Sequence, residues 1–304
     1  MKRLASLTLL IFLCAVSTAA YWWYASTRPD YLVQPITYDS FRIPTIEVSF
    51  DGKTYPIGID LGSVFQMTLQ SSVLSEIGKI PWGERSWIDV LGNEYTSPCY
   101  LIPEMQIGDL VLPSVFAKTE SDEFTLNTTL WEGRSNLPFK RSGSIGRALF
   151  RRKNLFLDFP HSQLVLCSTL DDLKKRGHPV DRLTRVPFTT TSLGVTLHIS
   201  TDLGIKKFVI DTGATVNIIR SSLIPDSAAC LKNEHGLPYY VSSQLIIGGK
   251  EFGPINLYLI EISDELDDID GILGIDFLEK QMLFLDFSNK VVYIGDGRTT
   301  SAQE

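Results

Sequence analysis

Apolar and polar positions alternate in short runs along most of this chain, and the runs recur in two matching series. Residues 45–50 alternate, meet the turn Asp51-Gly52, and are followed by a returning apolar strand at residues 55–59. Period-two alternation closed by Asp-Gly predicts a β-hairpin. Residues 196–199 lead likewise through Asp202-Leu203-Gly204 to residues 207–210. Met105-Gln106-Ile107-Gly108 precedes Leu110-Val111-Leu112, and Leu245-Ile246-Ile247-Gly248 precedes Phe252 and the apolar run at 255–259. Gly143-Ser144-Ile145-Gly146 precedes Leu155-Phe156-Leu157-Asp158-Phe159, and Gly271-Ile272-Leu273-Gly274 precedes an identical Leu-Phe-Leu-Asp-Phe string at residues 283–287.

The offset between halves is 128 residues both from Gly146 to Gly274 and from Leu155 to Leu283. It is 140 from Gly108 to Gly248 and 151 from Asp60 to Asp211, so the first half carries extra loop residues on both sides of that hairpin. Matched elements in one order predict two similar lobes in one chain. Helical signals are short: residues 170–175 predict a small helix, broken by Gly177-His178-Pro179. The expected fold is mostly β and bilobal. Its first lobe spans 41–169, a linker 170–185, the second lobe 186–297 and a polar tail 298–304.

Residues 1–24 stand apart. Lys2 and Arg3 precede an apolar run over residues 4–16, then small residues and Tyr21-Trp22-Trp23-Tyr24. Charge, apolar core and small residues fit a secretory signal. The length and the aromatic cluster fit a retained membrane anchor. Both readings stand: the remaining chain is expected either anchored and facing an extracytoplasmic compartment or exported after cleavage, and a few basic residues bias the orientation of an anchor without fixing it. Residues 25–40 are expected to form a tether, with a first strand the alternative for this stretch.

Composition narrows the picture further. Of 304 residues, 44% are hydrophobic and 21% charged, which suits a globular body. A net charge of -7 gives no reason to expect nucleic acid as a partner. One basic run, Lys140 to Lys153 with Arg141, Arg147, Arg151 and Arg152 between, reads as a solvated face. Cys99, Cys167 and Cys230 form no metal spacing and leave room for one disulfide. The four histidines are scattered, so no metal and no cofactor are assigned.

Candidate chemistry lies in a repeated Asp-x-Gly. Asp60-Leu61-Gly62-Ser63 and Asp211-Thr212-Gly213-Ala214 each follow a short apolar strand. A lone Asp-Thr-Gly is an ordinary turn; two at matched places are a stronger signal. Two carboxylates brought together share a proton, because like charge disfavours ionising both. The ionised member accepts a proton from water and the protonated member donates to a carbonyl. Gly62 and Gly213 permit close backbone approach, and Thr212 offers a hydroxyl to hold the two loops in register.

Through these motifs and Gly271-Ile272-Leu273-Gly274, the chain resembles the pepsin and retropepsin class of aspartic proteases, as a fused two-lobe form of the retroviral type. The resemblance covers roughly residues 41–295 and is more specific in the second half. It implies a bilobal acid-protease fold with two retropepsin-like β-lobes, a central cleft, and hydrolysis of a peptide or protein substrate without a metal or covalent intermediate. It makes Asp60 and Asp211 the catalytic pair, supported by Gly62, Ser63, Thr212, Gly213 and Ala214. Both come from one chain, so oligomerisation is not required.

Leu61 departs from the pattern, since an apolar side chain cannot supply the hydroxyl clasp that Thr212 supplies. A noncatalytic peptide-binding or structural envelope protein is therefore the competing expectation. Residues 87–95, around Leu91-Gly92-Asn93, read as a covering hairpin, and residues 236–241 occupy the matching interval. Their aromatics Trp87, Tyr95, Tyr239 and Tyr240 are the candidate flap and substrate contacts. Asp158 and Asp286 read as structural, residues 264–270 as a solvated acidic loop, and Asn127-Thr128-Thr129 as a glycosylation pattern.

Overall fold

The computed structural model describes residues 31–120, 141–151 and 153–297. The signal or anchor reading of residues 1–24, the Asn127 pattern and the polar tail fall outside the described residues. Among the described residues, no helix is long and apolar enough to cross a membrane.

Among the described residues, three sheets form the body. An eight-stranded sheet contains strands between Thr37 and Gly146, and a ten-stranded sheet contains strands between Thr189 and Leu273. The two follow one plan. In the first, hairpin strands Pro44–Phe50 and Lys53–Asp60 pair across the Asp51-Gly52 turn, where both residues have positive φ. Lys53–Asp60 then runs parallel to Gly143–Gly146, with Asp60 opposite Gly146. In the second, Val195–Thr201 pairs with Gly204–Ile210, which runs parallel to Gly271–Leu273. A short strand returns antiparallel to each glycine segment: Met67–Leu69 in the first lobe, Ile218–Arg220 in the second. Each Asp is thus delivered at the end of a strand braced by its own lobe's glycine segment.

The third sheet joins the halves. Its order is Tyr31–Pro35, Gln163–Cys167, Asn154–Asp158, Gln281–Asp286, Val291–Asp296 and Thr184–Pro187. Each half gives three strands, and the two repeated strings meet antiparallel at the centre. Leu155 lies opposite Leu285, Phe156 opposite Phe284 and Leu157 opposite Leu283. Strand residues alternate between faces. The leucines accordingly join the main core of both lobes, while Phe156 and Phe284 pack in a second cluster with Val165, Leu173 and Val180. The stretch read as a tether carries Tyr31–Pro35 and Thr37–Tyr38 as strands; Leu32 and Ile36 are buried, which explains why it is fixed in place.

The short helix forms at Leu170–Lys175. Thr169 and Asp172 exchange the two hydrogen bonds of a capping box at its start, and Gly177 follows at positive φ. Two expectations need correction. The basic run is not one solvated face: it crosses the Gly143–Gly146 strand and the Arg147–Phe150 helix, and Arg147 is only 4% exposed. Cys99, Cys167 and Cys230 are all free thiols, with the first two buried and Cys230 exposed.

The joining sheet behaves as packed core, which gives a stability prediction. Phe284→Ala removes a ring that is 1% exposed and is expected to cost about 3–5 kcal/mol. Ile205→Ala, at a position 69% exposed, is expected to cost less than about 0.5 kcal/mol. Urea unfolding of the two variants makes the comparison, and equal losses would contradict the packing described.

Candidate active site

Asp60 and Asp211 are brought together at the junction of the lobes, each carboxylate lying against the glycine of the other's loop. Each active loop makes room for the other's carboxylate. A Cβ on Gly62 would lie 2.5 Å from Cγ of Asp211, and one on Gly213 would lie 2.7 Å from Cγ of Asp60. Neither glycine has positive φ, so close approach is the requirement here. The amides of Gly62 and Gly213 donate to Oδ1 of Asp211 at 3.2 and 2.8 Å. The Ser63 amide donates to Oδ1 of Asp60 at 3.0 Å. The Ser63 hydroxyl accepts from the Phe65 amide at 3.3 Å. Ala214 closes the second loop through its amide on the Asp211 carbonyl.

Asp211 is pushed up to about 7, first by burial and then by the negative charge of Asp60; the two glycine amides oppose the shift. The pair titrates as a unit, and it holds one proton until the pH reaches the neutral range.

The loops are clasped from both sides by different chemistry. Thr212, fully buried, donates from Oγ1 to the Ile59 carbonyl at 2.6 Å and accepts from the Leu61 amide at 3.0 Å. Leu61 is also fully buried and joins the main apolar core, but it returns no such bond. Arg147 occupies that side instead. Its guanidinium donates to the carbonyls of Gly62 at 2.6 Å and Leu61 at 3.4 Å in the first lobe. It also donates to those of Ser192 at 2.8 Å and Thr191 at 3.2 Å in the second. Burial lowers the Arg147 pKa, while the charges of Asp60 and Asp211 oppose that shift. Arg42 makes the corresponding reach in the other direction: it pairs with Asp276 at 3.0 Å and with Glu279 beside the Ile275–Leu278 helix.

A cavity of about 410 Å³ opens over the pair. The hairpin of Ile80–Ile88 and Glu94–Ile107 contributes Ser86, Trp87 and Ile88, with Asp89 and Val90 of its turn, to the lining. Asp89, only 4% exposed, shapes the turn by accepting from the amides of Leu91 and Asn93, the Asn93 side chain and the Tyr95 hydroxyl. The tip reaches across the cleft, where the Ser263 amide donates to the Val90 carbonyl at 3.1 Å. Ile88 and Val90 pack on the second lobe's Val216, Ile218 and Ile272.

The aromatic candidates separate. Trp87 lines the cavity and stacks on Tyr95, with ring centroids 4.5 Å apart. Tyr95 stands behind it and is absent from the lining. Tyr239 and Tyr240 do not reach the cavity. The second-lobe hairpin is short and sits at a sheet edge, with Tyr239 against Tyr258 and the Tyr240 hydroxyl on Asp202. Asp158 and Asp286 lie outside the cavity lining and hold turns, through His161 and Asn289. The acidic loop is organised by Arg220, which donates to the carbonyls of Ile262, Ser263, Leu266 and Ile269. Among the described residues, no group of three or more His, Cys, Asp or Glu is placed to hold a metal ion.

Sequence reasoning missed the role of Arg147. A signal was present: it stands where the second half has the apolar Ile275, and Ile275 is buried. It also missed Lys118 and Phe65, both in the cavity wall.

No protein-family model matches the chain, and no curated protein matches it. Among solved structures it is similar to a crystal structure of an aspartic proteinase from Irpex lacteus. The TM-score is 0.59 at 15% identity, over 90% of this chain and 99% of that one. The likeness shows the fold: a bilobal acid-protease architecture with a central cleft.

Two predictions follow from the clasp and the pair. A lysine at position 147 cannot serve four carbonyls, so Arg147→Lys leaves buried acceptors unpaired and is expected to cost about 1–3 kcal/mol. Arg42→Lys, at a side chain 40% exposed, should cost no more than about 1 kcal/mol. Denaturant titration of both variants tests the difference. The raised Asp211 pKa means the folded chain holds a proton that the unfolded chain releases. Its contribution to stability is complete below the ordinary carboxylate range, declines as pH rises, and is gone above about 7. Asp211→Asn removes this decline, so its melting temperature should gain on the parent from pH 4 to 7 and level off beyond. A gap independent of pH would contradict the assignment.

Proposed function

We propose that this protein is an aspartic endopeptidase that hydrolyses peptide bonds with water activated between Asp60 and Asp211. The observation that carries the reading is the pair of carboxylates set in reciprocal glycine niches beneath a covering hairpin. One ionised oxygen takes a proton from water as the water oxygen attacks the scissile carbonyl carbon. The protonated carboxyl gives its proton to the carbonyl oxygen, forming a neutral tetrahedral diol. Collapse of the diol breaks the C–N bond, with the departing nitrogen taking a proton from the pair.

An extended peptide suits the cleft, since the hairpin can add strand-like hydrogen bonds above it. Lifting the tip from Ser263 admits the substrate, and its return excludes water. Leu61 is the feature that favours a noncatalytic module. The Arg147 clasp weakens that case by holding the same loop. Location in or facing an extracytoplasmic compartment remains part of the proposal, resting on the pattern of residues 1–24.

Peptide-library cleavage by the protein, from acidic to alkaline pH, tests the reading. Asp60→Asn and Asp211→Asn are each expected to lower kcat/KM by about 10²–10⁴-fold or more with folds intact by circular dichroism. In the parent, kcat/KM should fall as pH rises through about 7, where the pair loses its shared proton. Cleavage persisting in both variants would overturn the mechanism.

A further inference from the structure

The two walls of the cleft differ in chemistry. The second-lobe wall away from Asp211 is mainly apolar, with Val216, Ile218, Ile260 and Ile272 beside Ser192 and Thr215. The first-lobe wall includes Thr68, Ser144, the charged side chains of Glu120 and Arg141, and a buried cation, Lys118. Lys118 projects from the Leu110–Thr119 strand and is only 7% exposed. Its ammonium lies 3.4 Å from the ring centre of Trp87 and 4.9 Å from that of Phe65.

No described carboxylate forms an ion pair with Lys118; the charges of Asp60 and Glu120 act on it from further away. A buried ammonium packed on ring faces, with no carboxylate in direct contact, is costly to desolvate. An arriving carboxylate would offset that cost most effectively. Burial lowers Lys118 to about 8, so it stays cationic over the pH range in which the Asp pair keeps its proton.

We propose that Lys118, framed by Trp87 and Phe65, is a carboxylate-recognising subsite that selects peptides bearing an acidic residue on one side of the cleaved bond. The apolar second-lobe wall takes a large apolar residue on the other side. This specificity rests on the endopeptidase reading. The carboxylate has two possible sources, an Asp or Glu side chain or the free end of a short peptide.

The test compares peptides differing only by Glu or Gln at each position around the cleaved bond, each with a free or amidated C-terminus. In the parent, kcat/KM should favour Glu over Gln at one position by about tenfold or more. Lys118→Met should bring that ratio to near one, and Lys118→Glu should favour a Lys-bearing peptide at the same position. A preference that follows the free terminus in place of Glu identifies the other carboxylate source. An unchanged Glu preference in Lys118→Met overturns the subsite, as does a parent indifferent to every carboxylate. Equilibrium binding of the same peptides to Asp211→Asn, with and without Lys118→Met, separates this proposal from the catalytic one. Selective binding lost with Lys118 supports the subsite even if the parent cleaves nothing, and indifferent binding rejects it.

Discussion

Two carboxylates of like charge are set against each other's glycine loops, and that repulsive pairing must be held by the rest of the fold. Neither lobe can do so alone, because each supplies one Asp and the niche for the other. The loops are fixed from beneath by the Thr212 hydroxyl, which ties the second loop to the Ile59 carbonyl and Leu61 amide. They are fixed from the side by Arg147, whose four acceptors are divided equally between lobes. A charge-assisted fork buried among carbonyls is a stiff connector, since its planar geometry admits little adjustment. The hydroxyl missing at Leu61 is thus answered by a different group from a neighbouring segment.

Symmetry in the chain is strong in the frame and weak at the cleft. The joining sheet pairs one repeated string with the other almost residue for residue, as a twofold interface between separate subunits would. Around the Asp pair the halves have diverged. Arg147 faces across from the first lobe's helix, while Arg42 reaches toward the second lobe's helix from a loop. One long hairpin covers the cavity, and its counterpart stays at a sheet edge. The walls differ in polarity. Fusion in one chain permits this, because a change in one half is no longer copied into the other.

Much of the frame was legible because its signals are local. Asp51-Gly52, Gly92 and the 170–175 helix carry their turn and capping chemistry in adjacent residues. The paired Asp loops were legible because repetition raised a weak motif above chance. Position in the repeat failed for Tyr239 and Tyr240, since it says where a hairpin occurs and not how far it reaches. Charge alone failed for the basic run, where adjacent cations on a strand and helix point to different surroundings. Arg147 and Lys118 meet their partners only through long-range packing: Gly62 lies 85 residues from Arg147 along the chain. An isolated cation in an apolar run shows that its burial needs an explanation, but it does not name the partner.

The seam between the repeated strings also sets an order on synthesis. The Asn154–Asp158 strand is made long before Gln281–Asp286, and until then it presents an open sheet edge. A nascent chain that already contains both Asp60 and Asp211 still lacks the seam that holds their lobes in register, and folding from the N-terminus cannot complete it early. Assembly of the carboxylate pair is therefore tied to synthesis of the Gln281–Asp286 strand. A fragment released prematurely would carry both acidic residues without the frame that makes them a pair.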